Sequence, residues 1–301
     1  MKILITGSNG LLGQKLVQLI SSTGNHELIA TARGKNRLPE SEGYRFVSMD
    51  ITDQKSVETV ISSEKPDVII NTAAMTNVDQ CETEREACWK LNVDAVSYLL
   101  NAAKANDSFL LHLSTDFIFD GSSGPYKEED LPNPVSYYGE SKLAAEKLLL
   151  ESDIEWAIVR TVLVYGIAHD MSRSNIILWV KKSLEEGKDI HVVDDQWRTP
   201  TLAEDLAKGC FLIAEKKAKG IFNISGKDLM TPYEMAIQTA SYFDLNKSLI
   251  TKTDSSRFTQ TAKRPPKTGF VLDKAEEVLG YKPHSFKEGI AILSDQLNRA
   301  Y

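Results

Sequence analysis

Short apolar runs alternate with segments of helical period from the start of the chain. Residues 3–6, 28–31, 46–48 and 68–71 read as strands, and 11–21, 54–63 and 87–105 as amphipathic helices between them. The rhythm continues with an apolar run at 109–114, a helix over 136–152 and a strand at 156–160. Continuous apolar strands separated by helices predict a parallel sheet covered on both faces. After Gly166 the pattern loosens into a helix at 176–186, a strand at 190–193, a helix at 203–215, a strand at 220–224 and a closing amphipathic helix at 286–297. The expected fold is α/β, a Rossmann-type doubly wound parallel sheet with a smaller C-terminal substrate lobe. Residues 1–165 with 188–225 are assigned to the nucleotide-binding domain, and 166–187 with 226–301 to the lobe. No internal repeat or low-complexity segment interrupts the pattern.

Composition narrows the class. The chain has 301 residues, 42% hydrophobic and 26% charged, with 17 Gly and 10 Pro, which excludes fibrous and wholly disordered proteins. Its net charge of -7 argues against a nucleic-acid footprint or anionic membrane binding, while leaving room for a local basic pocket that takes an anionic small molecule. Cys81, Cys88 and Cys210 are odd in number and lack ligand spacing, so neither a disulfide framework nor a metal site is indicated. With no leader-like start, a cytoplasmic protein is expected.

Chemistry enters at two motifs. Gly7-Ser8-Asn9-Gly10-Leu11-Leu12-Gly13 lies between the first strand and the first helix, where glycines allow a tight turn and the helix N-terminus meets a pyrophosphate. After the second strand stands Arg33, where NAD-preferring sites place an acid; a guanidinium there suits a 2′-phosphate, favouring NADPH, with NADH as the alternative. Asp50, with Ile51 beside it, either accepts from the adenine amino group or caps the following helix. Tyr138 and Lys142 are four residues apart, on one helix face. A phenol with a reference pKa of about 10 needs such a cation to exchange protons near neutrality. Thr115, or its neighbour Ser114, closes the preceding strand, where open α/β sheets bind ligands. The scattered histidines lack ligand spacing, and His112 reads as a strand residue with a satisfied ring. Asn223-Ile224-Ser225 fits a glycosylation sequon but reads as a strand end.

Gly7-x-x-Gly10-x-x-Gly13, Asn71-Thr72-Ala73-Ala74, Leu91-Asn92-Val93, Ser114-Thr115-Asp116-Phe117 and Tyr138-x-x-x-Lys142 together resemble the extended short-chain dehydrogenase/reductases. Arg160-Thr161, Asp195-Gln196, Pro200-Thr201, Asp205-Leu206-Ala207 and Arg264-Pro265 extend the likeness, within that family, to the dTDP-4-dehydrorhamnose reductases. The resemblance implies Thr115, Tyr138 and Lys142 as catalytic residues. It adds Ala73, Ala74 and Asn92 to the cofactor side. The implied reaction is NAD(P)H-dependent reduction of the 4-keto group of a nucleotide-linked 6-deoxy sugar, dTDP-4-dehydro-L-rhamnose to dTDP-L-rhamnose, with a homodimer compatible. Asp116, Phe117, Trp197, Arg198 and Arg264 are the substrate-side candidates because they flank that site. The chain departs from the pattern at Leu163, where these reductases carry Trp, and at Lys15, where some carry a metal-bridging Glu, so no metal is expected. Two other readings share the fold: the non-catalytic regulatory β subunit of methionine adenosyltransferase, and a nucleotide-sugar 4-epimerase. A dehydratase is disfavoured by Phe117, which stands where that chemistry needs an acid.

Overall fold

The computed structural model describes residues 1–39, 42–170, 174–258 and 260–299. Its centre is a seven-stranded, wholly parallel sheet built from β1 (Lys2–Thr6), β2 (Glu27–Ala32), β3 (Arg45–Ser48), β4 (Val68–Asn71), β5 (Phe109–Thr115), β6 (Trp156–Thr161) and β10 (Gly220–Asn223). Their order is β10-β6-β5-β4-β1-β2-β3. The chain winds outward from β1 in one direction and then, from β4, in the other. Loops therefore diverge above the β1–β4 boundary and leave a crevice at the strands' C-terminal ends.

Alternation along the strands sends side chains to two cores. Leu4, Ile29, Ile69, Leu110 and Ile158 pack under α2 (Gln54–Glu64), α5 (Ala95–Asn106) and α6 (Tyr137–Leu150). Ile3, Ile5, Ile70, Leu111 and Val159 pack under α1 (Leu11–Thr23), α8 (Ala203–Lys216) and α10 (Asp273–Leu279). Complete burial of these apolar side chains, at about 25 cal/mol per Å² of apolar surface, is the main term holding the layers together.

Sequence periodicity placed most of these elements within a residue or two. The segment expected as one helix at 87–105 is composite, the end of α4 (Arg85–Trp89), a π-helical turn at Lys90–Asp94, then α5, and a short helix not expected from the sequence, α3 (Val78–Thr83), precedes it. A π turn commonly marks a functional site. The two short strands β7 (Val164–Tyr165) and β9 (Thr201–Leu202) pair with each other beside the large sheet.

The division into domains changes at one strand. Residues 188–225 were assigned entirely to the nucleotide-binding domain, but β8 (Ile190–Val193) pairs in parallel with β11 (Ile250–Thr253), outside the large sheet. The reason is the apolar face that α7 (Ile176–Glu185) and α9 (Pro232–Tyr242) offer: Val180, Leu184, Ala236 and Ala240 bury Ile190, Val192 and Ile250. An adjoining cluster joins Tyr165, Ile177, Met235 and Leu202 to Phe286, Ile290 and Leu293 of α11 (Phe286–Arg299), which docks the lobe on the strand ends.

Candidate active site

The glycine turn is shaped by steric necessity. Gly7 has φ +67°, and a Cβ there would lie 2.9 Å from Ala73 N; a Cβ at Gly13 would lie 2.3 Å from Gly7 O. Gly10 is the N-cap of α1 and brings no capping side chain, so no side chain competes for the amides of Leu11 and Leu12 in the first helical turn. The Ser8 hydroxyl, fully buried, has no hydrogen-bond partner among the described residues. Uncapped amides and an orphaned hydroxyl at a helix N-terminus fit a pyrophosphate. Asn9 supports the turn: its Nδ2 donates to Lys35 O at 2.8 Å and its Oδ1 accepts from Arg37 N at 2.9 Å. The side chain of Asn9 thus ties the loop after β2 to the glycine turn.

Where the adenosine half of a cofactor is expected, Arg33 is exposed at the end of β2 and Ile51 is buried in the core beneath. Asp50 accepts from Thr52 N at 2.9 Å and Thr52 Oγ1 at 2.8 Å. Burial pushes the Asp50 carboxyl up, but the Thr52 hydrogen bonds and the charges of Arg33 and Lys90 prevail and keep it ionised. Of the two roles considered for Asp50, capping α2 falls instead to Asp53, whose carboxylate accepts from Lys55 N. Ala73 and Ala74 lie half-buried on the loop after β4. Asn92, placed by family likeness on the cofactor side, is almost wholly buried in the π turn. Its Oδ1 accepts from Met75 N at 2.8 Å and its Nδ2 donates to Met75 O at 3.1 Å and Ser141 Oγ at 3.0 Å. It braces the loop that carries Ala73 and Ala74.

The residues expected to be catalytic come together at the C-terminal end of β5. Ser136 caps α6 by accepting from Gly139 N at 3.3 Å, which places Tyr138 in the first turn and Lys142 one turn on. Both are buried. Burial raises the Tyr138 phenol well above its usual range, opposed by a hydrogen bond with Thr115, so the resting phenol keeps its proton. Burial lowers the Lys142 ammonium to about 8, with Glu146 acting in the other direction. Lys142 Nζ donates to Leu113 O at 2.5 Å and lies 3.2 Å from His112 Nε2. The Thr115 hydroxyl donates to Asp116 Oδ1 at 3.1 Å and accepts from Phe117 N at 3.2 Å. Ser114 Oγ is buried and has no partner among the described residues. Of the two hydroxyls considered for the substrate oxygen, Ser114 is the one without a protein partner.

The substrate-side candidates cluster, though mostly through contacts with one another. Phe117 lies edge-on to Tyr138, ring centres 5.7 Å apart, with the Arg198 guanidinium 5.9 Å from its centre. Arg198 is buried, donating to Pro265 O at 2.7 Å and lying 3.8 Å from the Asp116 carboxylate. Asp116 also accepts from Thr268 Oγ1. These contacts weld the loop at 195–199 to the segment at 264–269, which Trp197 N continues by donating to Pro266 O at 2.8 Å. Trp197 is partly exposed, and Arg264 reaches across to Asp79 on α3 at 2.6 Å. Leu163, at the position where a Trp was expected, sits in the left-handed region at φ 37° with its side chain exposed beside these strand ends.

Several contributors carry no motif. Gln14 bridges the glycine turn to the loop after β7, donating to Asn9 O and His169 O and accepting from His169 N. Arg160 and Glu146 form a buried pair at 2.8 Å that fixes α6 to β6. Cys81 and Cys88 pack with Tyr138 in one buried cluster. The Cys88 thiol is drawn down to about 7, first by its hydrogen bond with Cys81 and then by Ser141 and Asn92, against the effect of burial. Lys15 pairs with Glu204 at 2.8 Å between α1 and α8. Asn223 is buried and donates to Tyr126 O, a structural strand end.

Comparison with known proteins agrees with this geometry. The family model described as the RmlD substrate binding domain matches residues 1–299. A dTDP-4-dehydrorhamnose reductase of Aggregatibacter actinomycetemcomitans is 33% identical over 302 residues, covering 96% of this chain and 97% of that protein. Methionine adenosyltransferase 2 subunit beta of Bos taurus is 34% identical over 252 residues, covering 82% of this chain and 73% of that one. The solved dTDP-4-dehydrorhamnose reductase of Bacillus anthracis, in complex with NADP, has a TM-score of 0.83 at 26% identity and covers 98% of this chain and 99% of its own. With the glycine turn, the Tyr138–Lys142 pair and the strand order all in place, the chain belongs to the RmlD family of extended short-chain reductases.

Proposed function

We propose that the protein is an NADPH-dependent reductase of a nucleotide-linked 6-deoxy-4-keto sugar, with dTDP-4-dehydro-L-rhamnose as substrate and dTDP-L-rhamnose as product. The observation that carries this reading is the convergence of Tyr138, Lys142 and the Ser114–Thr115 hydroxyls at the end of β5, next to the glycine turn across the β4–β1 boundary. Gly7 to Gly13 would hold the pyrophosphate, Asp50 and Arg33 the adenosine half, and the Ala73–Ala74 loop, braced by Asn92, the middle of the cofactor. When bound, NADPH supplies the hydride that C4 accepts.

The chain's own residues supply the rest. Ser114 and Thr115 orient the substrate carbonyl. Tyr138 holds a proton in its buried resting state and gives it to the nascent alkoxide oxygen. The Lys142 ammonium stabilises the phenolate left behind. Phe117 and Trp197 offer aromatic faces to the sugar nucleotide, and the buried Arg198–Asp116–Thr268 contacts keep that wall in place. No helix among the described residues is long and apolar enough to cross a membrane. The buried thiols of Cys81, Cys88 and Cys210 support a reducing, cytosolic setting.

The likeness to an adenosyltransferase β subunit favours a second reading, a nucleotide-occupied regulatory subunit. The test is NADPH consumption by the purified protein with dTDP-4-dehydro-L-rhamnose, beside Tyr138→Phe. The reductase reading predicts consumption by the wild type alone. NADPH binding without consumption would replace it with the regulatory one.

A further inference from the structure

A polar row crosses the large sheet where apolar side chains would be usual. Thr31, Thr6, Asn71 and His112 are register partners on β2, β1, β4 and β5. All are buried and share the sheet face of Leu4, Ile69 and Leu110. Strands buried on both faces are ordinarily apolar, and each buried polar group must find a partner. Asn71 meets Thr6 Oγ1 at 2.6 Å and His112 Nδ1 at 3.0 Å, and the row ends at Lys142, 3.2 Å from His112 Nε2.

Donor counting sets the protonation. With the Asn71 amide oxygen toward Thr6, its NH2 donates to His112 Nδ1. The neutral ring then carries its proton on Nε2, which opposes the Lys142 ammonium donor to donor. With the amide turned half over at the same positions, its NH2 donates to Thr6 Oγ1 and its oxygen accepts from His112 Nδ1–H. Nε2 is then free to accept from Lys142. The second arrangement removes the donor-to-donor contact at Lys142, and the Thr6 hydroxyl then accepts from the Asn71 amide where in the first it donates to it. An ammonium has three N–H groups; Leu113 O takes one and His112 Nε2 a second, leaving one for the reacting side.

We infer that His112 is a positioning residue for the reaction: a neutral imidazole, held in the Nδ1–H tautomer by Asn71, whose Nε2 anchors Lys142 as an ammonium beside Tyr138. This rests on the reductase reading for its kinetic consequence, but not for the tautomer. Burial and the Lys142 charge hold the imidazole well below its usual pKa, in keeping with a neutral ring. Lys142 is otherwise faced by Tyr138 and Glu146 on its own helix and by Cys81 and Cys88 on α3 and α4, none of which takes the place of the Nε2 acceptor.

The experiment has two parts on the full chain. Nitrogen-15 imidazole spectra between about pH 6 and 7.5, with the His112 signals assigned by their loss in His112→Gln, should show a protonated Nδ1 and a bare Nε2 throughout. A protonated Nε2, or an imidazolium, would overturn the inference. The second part is the pH profile of kcat/KM with the nucleotide sugar. The wild type should lose activity as pH rises through about 8, where Lys142 gives up its proton. His112→Leu removes the acceptor and should move that limb about one unit lower, whereas His112→Gln, whose side-chain oxygen can replace Nε2, should stay near the wild type. A leucine variant with an unmoved limb, or a glutamine variant as impaired as the leucine one, would contradict the anchoring role. A wild type without turnover would instead defeat the proposed function, leaving the spectra to decide the inference.

Discussion

The floor and the roof of the cleft are built differently. The floor, from Thr6 beneath the glycine turn through Asn71 and His112 to Lys142 and Tyr138, is buried and held by hydrogen bonds between adjacent strands and one helix. The roof joins distant segments: Asp79 on α3 holds Arg264 and Ala262 N, and Trp197 meets the segment at 264–269. Its Arg264–Asp79 pair is partly exposed, at 21% and 40% of side-chain surface, in contrast to the buried Arg198–Asp116 pair. In the floor a lost group leaves a buried partner unsatisfied, which is expensive; in the roof water substitutes for what is lost. On the proposed function, the chemistry belongs to the floor and the choice of sugar to the roof.

This contrast orders the expected effects of mutation. Tyr138→Phe keeps the ring and removes the proton donor, so kcat should fall by about 10²–10⁴-fold with NADPH affinity nearly unchanged, as titration by fluorescence would show. Arg160→Met strands the Glu146 carboxylate among apolar neighbours and should cost about 3–5 kcal/mol in denaturant unfolding. The double change with Glu146→Leu should recover much of that loss. Arg33→Asp should weaken NADPH binding by about tenfold or more relative to NADH, since one favourable charge contact becomes a repulsive one. Equal weakening of both cofactors would show that Arg33 does not read the 2′-phosphate. Asp79→Asn, in the roof, should change stability by no more than about 1 kcal/mol and express itself mainly in KM for the nucleotide sugar. An effect as large as that of Arg160→Met would erase the distinction between the two regions.

The same contrast explains what the sequence disclosed. The floor's main signals are local: a glycine turn within seven residues and a phenol–ammonium pair one helical turn apart. The parallel sheet was equally legible, because each of its strands is a short apolar run. The roof depends on pairs such as Asp79 and Arg264, 185 residues apart, and no spacing rule announces them. Arg198 illustrates the difficulty, since from sequence it was a candidate for ligand contact, whereas the fold spends its guanidinium on the backbone at Pro265 and on Asp116. The strand at Ile190–Val193 is legible but grouped by sequence with the nucleotide-binding domain, because its partner β11, rich in Thr and Lys, carries little apolar signal. His112 was read as a satisfied strand residue. Its ring is indeed partnered, yet its neighbour Lys142 gives that satisfaction a use only the register of β4 and β5 could reveal.

The most direct measurement of the central claim is isotope transfer. The protein would be incubated with dTDP-4-dehydro-L-rhamnose and NADPH deuterated at nicotinamide C4, in wild-type and Tyr138→Phe forms, and the sugar nucleotide analysed by NMR. The account predicts one deuteron at C4 of the product from the wild type and almost none from the variant. Recovery of unreduced sugar from the wild type, deuterium at another carbon, or equal labelling by the variant would contradict it.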